Sequence, residues 1–488
     1  MVKEPDVKEG ESPGPIAPPL WPFAVPLNGI TGILWAWFAI QSGPLGDIFG
    51  VLPAVLLIST SLSSVFSGAD ARISQFMCLG AFLGILFSFP MAFVSGITVG
   101  LVLLALSVAS FVAAGYLSVG EIPVPAEVPE PEMGLKFSAR VATDEVKMFG
   151  IVLTSWPPAV GSIAKHMGQE MDEALEVFER NGWLENPDSY HRMPPPAEIS
   201  VRKRFRHEGW DMERLSFESG YEPWPDEPGR DRWLSYESNR TAQALTLRHG
   251  DGNHPWLVCI HGLRNGAPQN SGDLFQPDFL HRELGLNLLF PFLPLHGPRK
   301  PGYVSGARLL SGDTMDLVHA GAQAAWDIRR LLAWLRLPEQ DAPAVGVLGH
   351  SLGGYTAALL AGLDNSIDCV IAANPSVGPS HMFWRDGFST ATRYLKTHGA
   401  SEKRMDQLSH PVSPLALQPK VAKEGRAVLA SVADRIIPAS EPDSLCRHWD
   451  RPRILWHQGT HFGLLRSAEG KEAVRNTLRD SGVLTSKN

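Results

Sequence analysis

The chain has 488 residues, too many for one ordinary domain and enough for two or three. A net charge of −8 argues against a nucleic-acid partner, because phosphate binding needs Lys and Arg gathered on one face. Hydrophobic content is 44%, ordinary for a globular protein, but charge is almost missing from one region: between Leu20 and Gly120 only Asp47, Asp70 and Arg72 are charged.

Residues 1–19 read as a disordered tail. Residues 20–120 read as a transmembrane helical domain with four apolar stretches, Leu20–Ile40, Ile48–Phe66, Ile73–Phe89 and Met91–Val119. A helix of about 20 apolar residues crosses a hydrocarbon core of about 30 Å. The first stretch is the weakest, since Pro22, Pro26, Gly29 and Gly32 interrupt it. Trp21, Trp35 and Trp37 suit a membrane interface. A soluble bundle would need a polar face that this sequence does not supply. Lys3, Lys8 and Arg72, then Lys136, Arg140 and Lys147, fall in the tail, the second connection and the segment after the fourth stretch. The first and third connections hold no Lys or Arg, which places both termini and the C-terminal part in the cytoplasm.

Residues 121–134 are rich in Pro and Glu and read as an extended, solvated linker. Residues 135–232 read as a mixed helical and irregular connecting segment, with a helix over Gln169–Asn181 and a basic cluster at Arg202, Lys203, Arg204 and Arg206. That cluster reads either as a solvated face or as a contact for anionic headgroups.

Residues 233–488 alternate short apolar runs with helical patterns, which predicts a mostly parallel sheet covered on both faces. The strand Ala344–Leu348 runs into Gly349-His350-Ser351-Leu352-Gly353-Gly354 and then a helix. A nucleophilic serine needs such a strand–turn–helix junction: the turn exposes Oγ, and glycines at the flanking positions make room for it. Asp434 directly follows the strand Arg426–Val432, and His461 lies in Gly459-Thr460-His461-Phe462-Gly463 after the last strand. Ser351, Asp434 and His461 are therefore the candidate nucleophile, orienting acid and base. Asp406, Asp443 and Asp450 are weaker rivals for the acid, and His457 for the base, because they lack those positions. His261-Gly262-Leu263 follows the strand Trp256–Ile260, so the backbone N–H groups of Leu263 and Leu352 are the candidate oxyanion hole. Arg299 and Lys300 follow the strand Asn287–Phe292 and read either as a cationic clamp for substrate or as solvated charges on a proline-rigid loop. Residues 374–425, with His381-Met382-Phe383-Trp384, are a candidate lid insertion. Cys78, Cys259, Cys369 and Cys446 are scattered and read as small buried hydrophobes rather than a disulfide framework.

Together, the His261-Gly262 strand end, the Ser351 turn, Asp434 and His461 resemble the α/β-hydrolase superfamily over about half of the chain. The resemblance implies an eight-stranded sheet, a Ser-His-Asp triad and no cofactor or metal. Pro294–Gly302 resembles a loop in a hydrolase subgroup that acts on membrane lipids. The expected protein is an integral membrane serine esterase or lipase, with a lipid or other acyl ester as substrate and the bilayer as partner. A second copy meeting it through the membrane domain is a further candidate partner. A thioesterase, amidase or peptidase of the same fold, and a non-catalytic membrane scaffold, are the alternatives.

Overall fold

The computed structural model describes residues 21–67, 70–121, 124–155, 161–250, 253–266, 274–378, 380, 384–385 and 389–484. The tail 1–19 and His381–Phe383 lie outside them. Two compact units divide the chain: Met1–Val124 with Pro131–Phe149, and Pro125–Glu130 with Gly150–Asn488.

The first unit contains α1 (Trp21–Gln41), α2 (Gly43–Ser67), α3 (Ala71–Ser95), α4 (Ile97–Val119) and most of α5 (Leu135–Ser155). Helices α1 to α4 are long and apolar enough to cross a membrane. The interrupted first stretch forms one helix even though Pro26 lies inside it, and Asn28 and Thr31 bond back to the carbonyls of Ala24 and Leu27 at 2.9 Å each. The break between the third and fourth stretches falls at Gly96, whose φ of +99° suits glycine, and not at Pro90, which α3 absorbs. Small and polar side chains share the inside of the bundle with Leu57, Met77, Met91 and Leu103. Trp35 Nε1 donates to Ser107 Oγ at 3.0 Å, and Ser110 Oγ donates to Thr31 Oγ1 at 2.9 Å, all four residues being buried. The outward positions carry Phe23, Ile33, Ile48, Phe93 and Ile97. Such an outward surface suits lipid, where apolar side chains face the solvent and helices can meet through small residues.

The second unit is built on a sheet with nine strands among the described residues, in the order β1-β2-β3-β5-β4-β6-β7-β8-β9. They are β1 (Val201–His207), β2 (Trp210–Glu218), β3 (Thr241–Leu247), β4 (Trp256–Ile260), β5 (Asn287–Pro291), β6 (Val345–His350), β7 (Cys369–Ala373), β8 (Arg426–Ser431) and β9 (Arg453–His457). Strands β4 to β9 pair in parallel, while β1, β2 and β3 form an antiparallel edge joined to β5. Side chains along β4 alternate between two cores: Trp256, Val258 and Ile260 face one, Leu257 and Cys259 the other. The first core is covered by α6 (Gly161–Asn181), α7 (Thr314–Leu335) and α8 (Leu352–Leu363). The second is covered by the segment around Phe279 and by the C-terminal helix Ala468–Asp480. This is the α/β-hydrolase fold.

Three readings of the sequence need correction. The segment 135–232 is not merely a connection, because the hairpin β1–β2 within it extends the sheet, and the basic cluster lies on its edge strand β1. Residues Pro125–Glu130 of the linker are not a free spacer: Val128 is buried, Arg451 pairs with Glu127 at 2.9 Å, and Gln458 Nε2 donates to the Glu130 carbonyl at 3.2 Å. Within 374–425, the helices Ser389–Thr397 and Glu402–Ser409 place Leu395, Met405 and Leu408 in the same core as Met167 and Met171 of α6.

Candidate active site

Strand β6 ends at His350, and Ser351 turns the chain into α8 with φ +59° and ψ −119°. A non-glycine residue in that region is strained, and such strain gathers at functional turns. The neighbouring glycines show why the turn needs them. A Cβ at Gly349 would collide with the Gly353 carbonyl, and one at Gly353 with the Ile260 carbonyl. Ser351 N–H donates to the Ala373 carbonyl at 2.9 Å, which ties the turn to β7.

Asp434 stands past the end of β8 and is buried. Its Oδ1 accepts from the backbone N–H groups of Ile436 and Ile437 at 2.9 and 2.8 Å. Its Oδ2 accepts from His461 Nδ1 at 2.6 Å. Both carboxylate oxygens are thus occupied, and the imidazole is held with its proton on Nδ1, leaving Nε2 as the basic nitrogen. The rivals lie elsewhere: His457 pairs with Glu469 at 2.9 Å, and Asp450 pairs with Lys423 at 3.0 Å.

Ser351, His461, Leu263 and Leu352 all line one open cleft. Leu352 is the first residue of α8, where an N–H finds no acceptor inside its helix. Gly262 packs against Ser351, since a Cβ there would lie 3.1 Å from Ser351 Cβ. Among the described residues, the cleft lining has no Lys, Arg, Asp or Glu, and the segment 374–425 contributes Ser376 to it. No group of three or more His, Cys, Asp or Glu suited to a metal occurs among the described residues.

Arg299 is not a substrate clamp. It is 1% exposed, pairs with buried Asp327 at 2.8 Å, and donates to the carbonyls of Phe292 and Asn239 at 3.0 and 2.9 Å. A buried guanidinium held by one carboxylate and two carbonyls braces its loop. Lys300 is exposed, donates to the Tyr303 carbonyl at 3.1 Å, and does not line the cleft.

Reasoning from sequence missed the groups that hold the His461 loop. The His461 carbonyl accepts from Asn374 Nδ2 at 3.0 Å and from His350 Nε2 at 3.1 Å. Asn374 Oδ1 in turn accepts from Ser431 N–H at 2.8 Å, so one amide bridges the ends of β7 and β8 to the histidine loop. Burial pushes the His350 imidazole down to about 3, so it donates as a neutral ring. His261 is likewise held neutral, at about 4, chiefly by burial, with its Nε2 accepting from Leu293 N–H at 3.3 Å. Glu441 is also buried, and its Oε2 accepts from Ser376 Oγ and from the N–H groups of Val377 and Gly378 at 3.0, 2.8 and 3.2 Å. Burial raises its carboxyl against the pull of those donors, and the loop lining the cleft is fixed by it. Asn374 carries a signal of its own, because it directly follows a strand as Asp434 does. Glu441 carries none, since its partners lie far away in sequence.

No family model matches the chain. Two proteins of Mycobacterium tuberculosis, the uncharacterized protein MT2702 of strain CDC 1551 and the uncharacterized protein Rv2627c of strain H37Rv, are each 36% identical over 362 residues, covering 74% of this chain and 86% of theirs. Among solved structures, an acetyl xylan esterase from a Paenibacillus species aligns at TM-score 0.42 and 17% identity, covering 64% of this chain and 98% of that one. A second acetyl xylan esterase, from Thermoanaerobacterium, aligns at TM-score 0.37 and 14% identity over 67% of this chain and 95% of that one.

Proposed function

The chain belongs to one family with these two mycobacterial proteins, and we propose that it is a membrane-anchored serine hydrolase that cleaves acyl esters, with lipid esters as its substrate class. One observation carries the reading: Ser351, on a strained strand–helix turn, opens onto the same cleft as His461, whose Nδ1 is held by the buried carboxylate of Asp434. Ser351 Oγ attacks the ester carbonyl carbon while His461 Nε2 takes its proton. The backbone N–H groups of Leu263 and Leu352 stabilise the oxyanion. The carbon–oxygen bond to the alcohol breaks, and His461 returns the proton to the departing oxygen. Water, deprotonated by His461, then attacks the acyl-enzyme and frees the acid and Ser351. Asp434 keeps the imidazole in the productive tautomer throughout.

An ester with an apolar acyl group is favoured because the described cleft lining holds no charged side chain apart from the reacting groups. The membrane-suited helices support a lipid source, since a tether concentrates the site beside substrates that barely dissolve. The Lys and Arg distribution supports a cytoplasmic catalytic unit.

The test is labelling of isolated membranes with a fluorophosphonate probe. Wild type should label, and Ser351→Ala and His461→Ala should not. A folded wild-type protein that stays unlabelled beside a labelled control hydrolase would overturn the assignment.

A further inference from the structure

Beside the cleft lies a second cavity. The two share Leu309, Leu317, Leu352 and Ser376 in their walls, so they lie side by side, and Leu352 is the residue after Ser351. The lining of the second cavity follows from helix periodicity. Helix α7 contributes Leu317, Ala320, Gly321 and Ala324, spaced as one face of a helix, and three of these four are small. Helix α8 contributes Leu352, Tyr355 and Thr356, also one face, beginning at the residue after Ser351. Three polar groups of the lining are engaged elsewhere: Tyr355 hydroxyl donates to the Val412 carbonyl at 2.5 Å, Thr356 Oγ1 to the Leu352 carbonyl at 2.9 Å, and Ser376 Oγ to Glu441 at 3.0 Å. His296 also lines the cavity, and its buried Nε2 has no hydrogen-bond partner among the described residues. Most of the remaining lining is aliphatic: Leu293, Pro294, Leu309, Leu317, Ala320 and Ala324. Small residues along a helix at that place leave a volume that Leu or Phe would have filled in a well-packed core.

We propose that this cavity is the acyl site and holds an unbranched aliphatic chain of medium length; the proposal rests on the serine-hydrolase reading above. During turnover the acyl group stays on Ser351 while the alcohol leaves and water enters. The part that stays belongs in the cavity whose walls, among them Leu293, Ala320, Ala324 and Tyr355, are buried. The part that leaves belongs on the side of the larger cleft, where Phe462 is 44% exposed. Length is set by the far end. From Leu317 to Ala324 the lining runs for about 10 Å of helix, which matches an extended chain of about eight carbons. Ala324, Leu293 and Pro294 close the far end: behind them lies a separate cavity in which Arg299 and Asp327 stand among apolar residues, so a buried ion pair lies behind the floor.

The experiment uses the full-length protein in detergent micelles and p-nitrophenyl esters from acetate to palmitate, with fluorophosphonate labelling run in parallel. In wild type, kcat/KM should rise roughly three- to four-fold per added methylene, as each is buried, and level off near octanoate. In Ala324→Phe the ratio of octanoate to acetate kcat/KM should fall at least tenfold. Ala320→Leu, which takes less space, should lower the same ratio and decides the matter if the Phe variant does not fold. A labelled, active enzyme whose ratio is unchanged in a folded variant overturns the acyl site and leaves the hydrolase reading standing. Absence of labelling in wild type overturns the hydrolase reading and the acyl site together.

Discussion

In the helical unit Asn28, Thr31, Ser107 and Ser110 are buried while Phe93, Ile97 and Leu101 face outward; in the hydrolase unit Trp256, Leu257 and Leu348 are enclosed by two cores. The same elementary rule produces both. Water drives apolar area inward, so the sheet fills with aliphatic side chains. Lipid exerts no such pull, so helices also associate through close approach and shared hydroxyl groups, and large apolar residues such as Phe93 stay outside while others such as Leu57 and Met77 are buried. The composition of a surface therefore reports the solvent it was built against. Chemistry follows the same division: strained backbone, converging hydrogen bonds and neutral buried imidazoles gather in the unit folded by water.

The largest expected effect tests whether that chemistry is confined to the one unit. Asp434→Asn removes the carboxylate that fixes the His461 tautomer, and hydrolysis should fall by about 10³- to 10⁴-fold. Circular dichroism and recovery in the membrane fraction should be unchanged. Loss of membrane recovery would mean that the two units do not fold independently.

A smaller effect addresses the interiors directly. Leu348→Ala empties a site that is 1% exposed and should cost about 2–5 kcal/mol, read as a lowered Tm of the detergent-solubilised protein. Leu101→Ala, at a position 59% exposed on α4, should change Tm little, since no packed neighbour is lost. Equal losses in the two variants would break the contrast between the units.

The third effect is graded with pH. Burial lowers His261 to about 4 and His296 and His350 to about 3, against about 6.5 in an unfolded chain. Between those values the folded state binds fewer protons than the unfolded one, so stability is full above pH 6.5 and declines as pH falls toward 4. Each imidazole should contribute a loss of about 1 kcal/mol one pH unit below 6.5. The buried carboxyls of Glu227 and Asp316, raised to about 7 and about 6 chiefly by burial, act in the opposite direction. The check therefore compares the pH dependence of Tm between wild type and His350→Asn; an unchanged dependence would show that ring to be solvated.

Much of this arrangement could be read from sequence wherever the pattern was local. Helices α2 to α4 and strands β4 to β8 carry apolar runs, and the Ser351 turn carries its own glycines. The hairpin β1–β2 could not be read so, because β1 is an edge strand whose Arg202, Lys203, Arg204 and Arg206 hide any alternation. Arg299 was misjudged for a related reason. Nothing near it announces Asp327, which lies 28 positions away in sequence on α7. The His461 carbonyl likewise draws its donors from β6 and from the end of β7, and only the assembled sheet brings them together.

The Arg299–Asp327 pair has a consequence for descent. Asp327 also accepts from Ser219 Oγ at 2.6 Å, so one pair joins the end of β2, the loop after β5 and helix α7. Losing either partner alone strands a charge in the interior at a cost of about 3–5 kcal/mol, whereas replacing both by apolar residues can be nearly neutral. The two positions should therefore co-vary along the lineage, retained as a pair or exchanged as a pair, with single replacements purged.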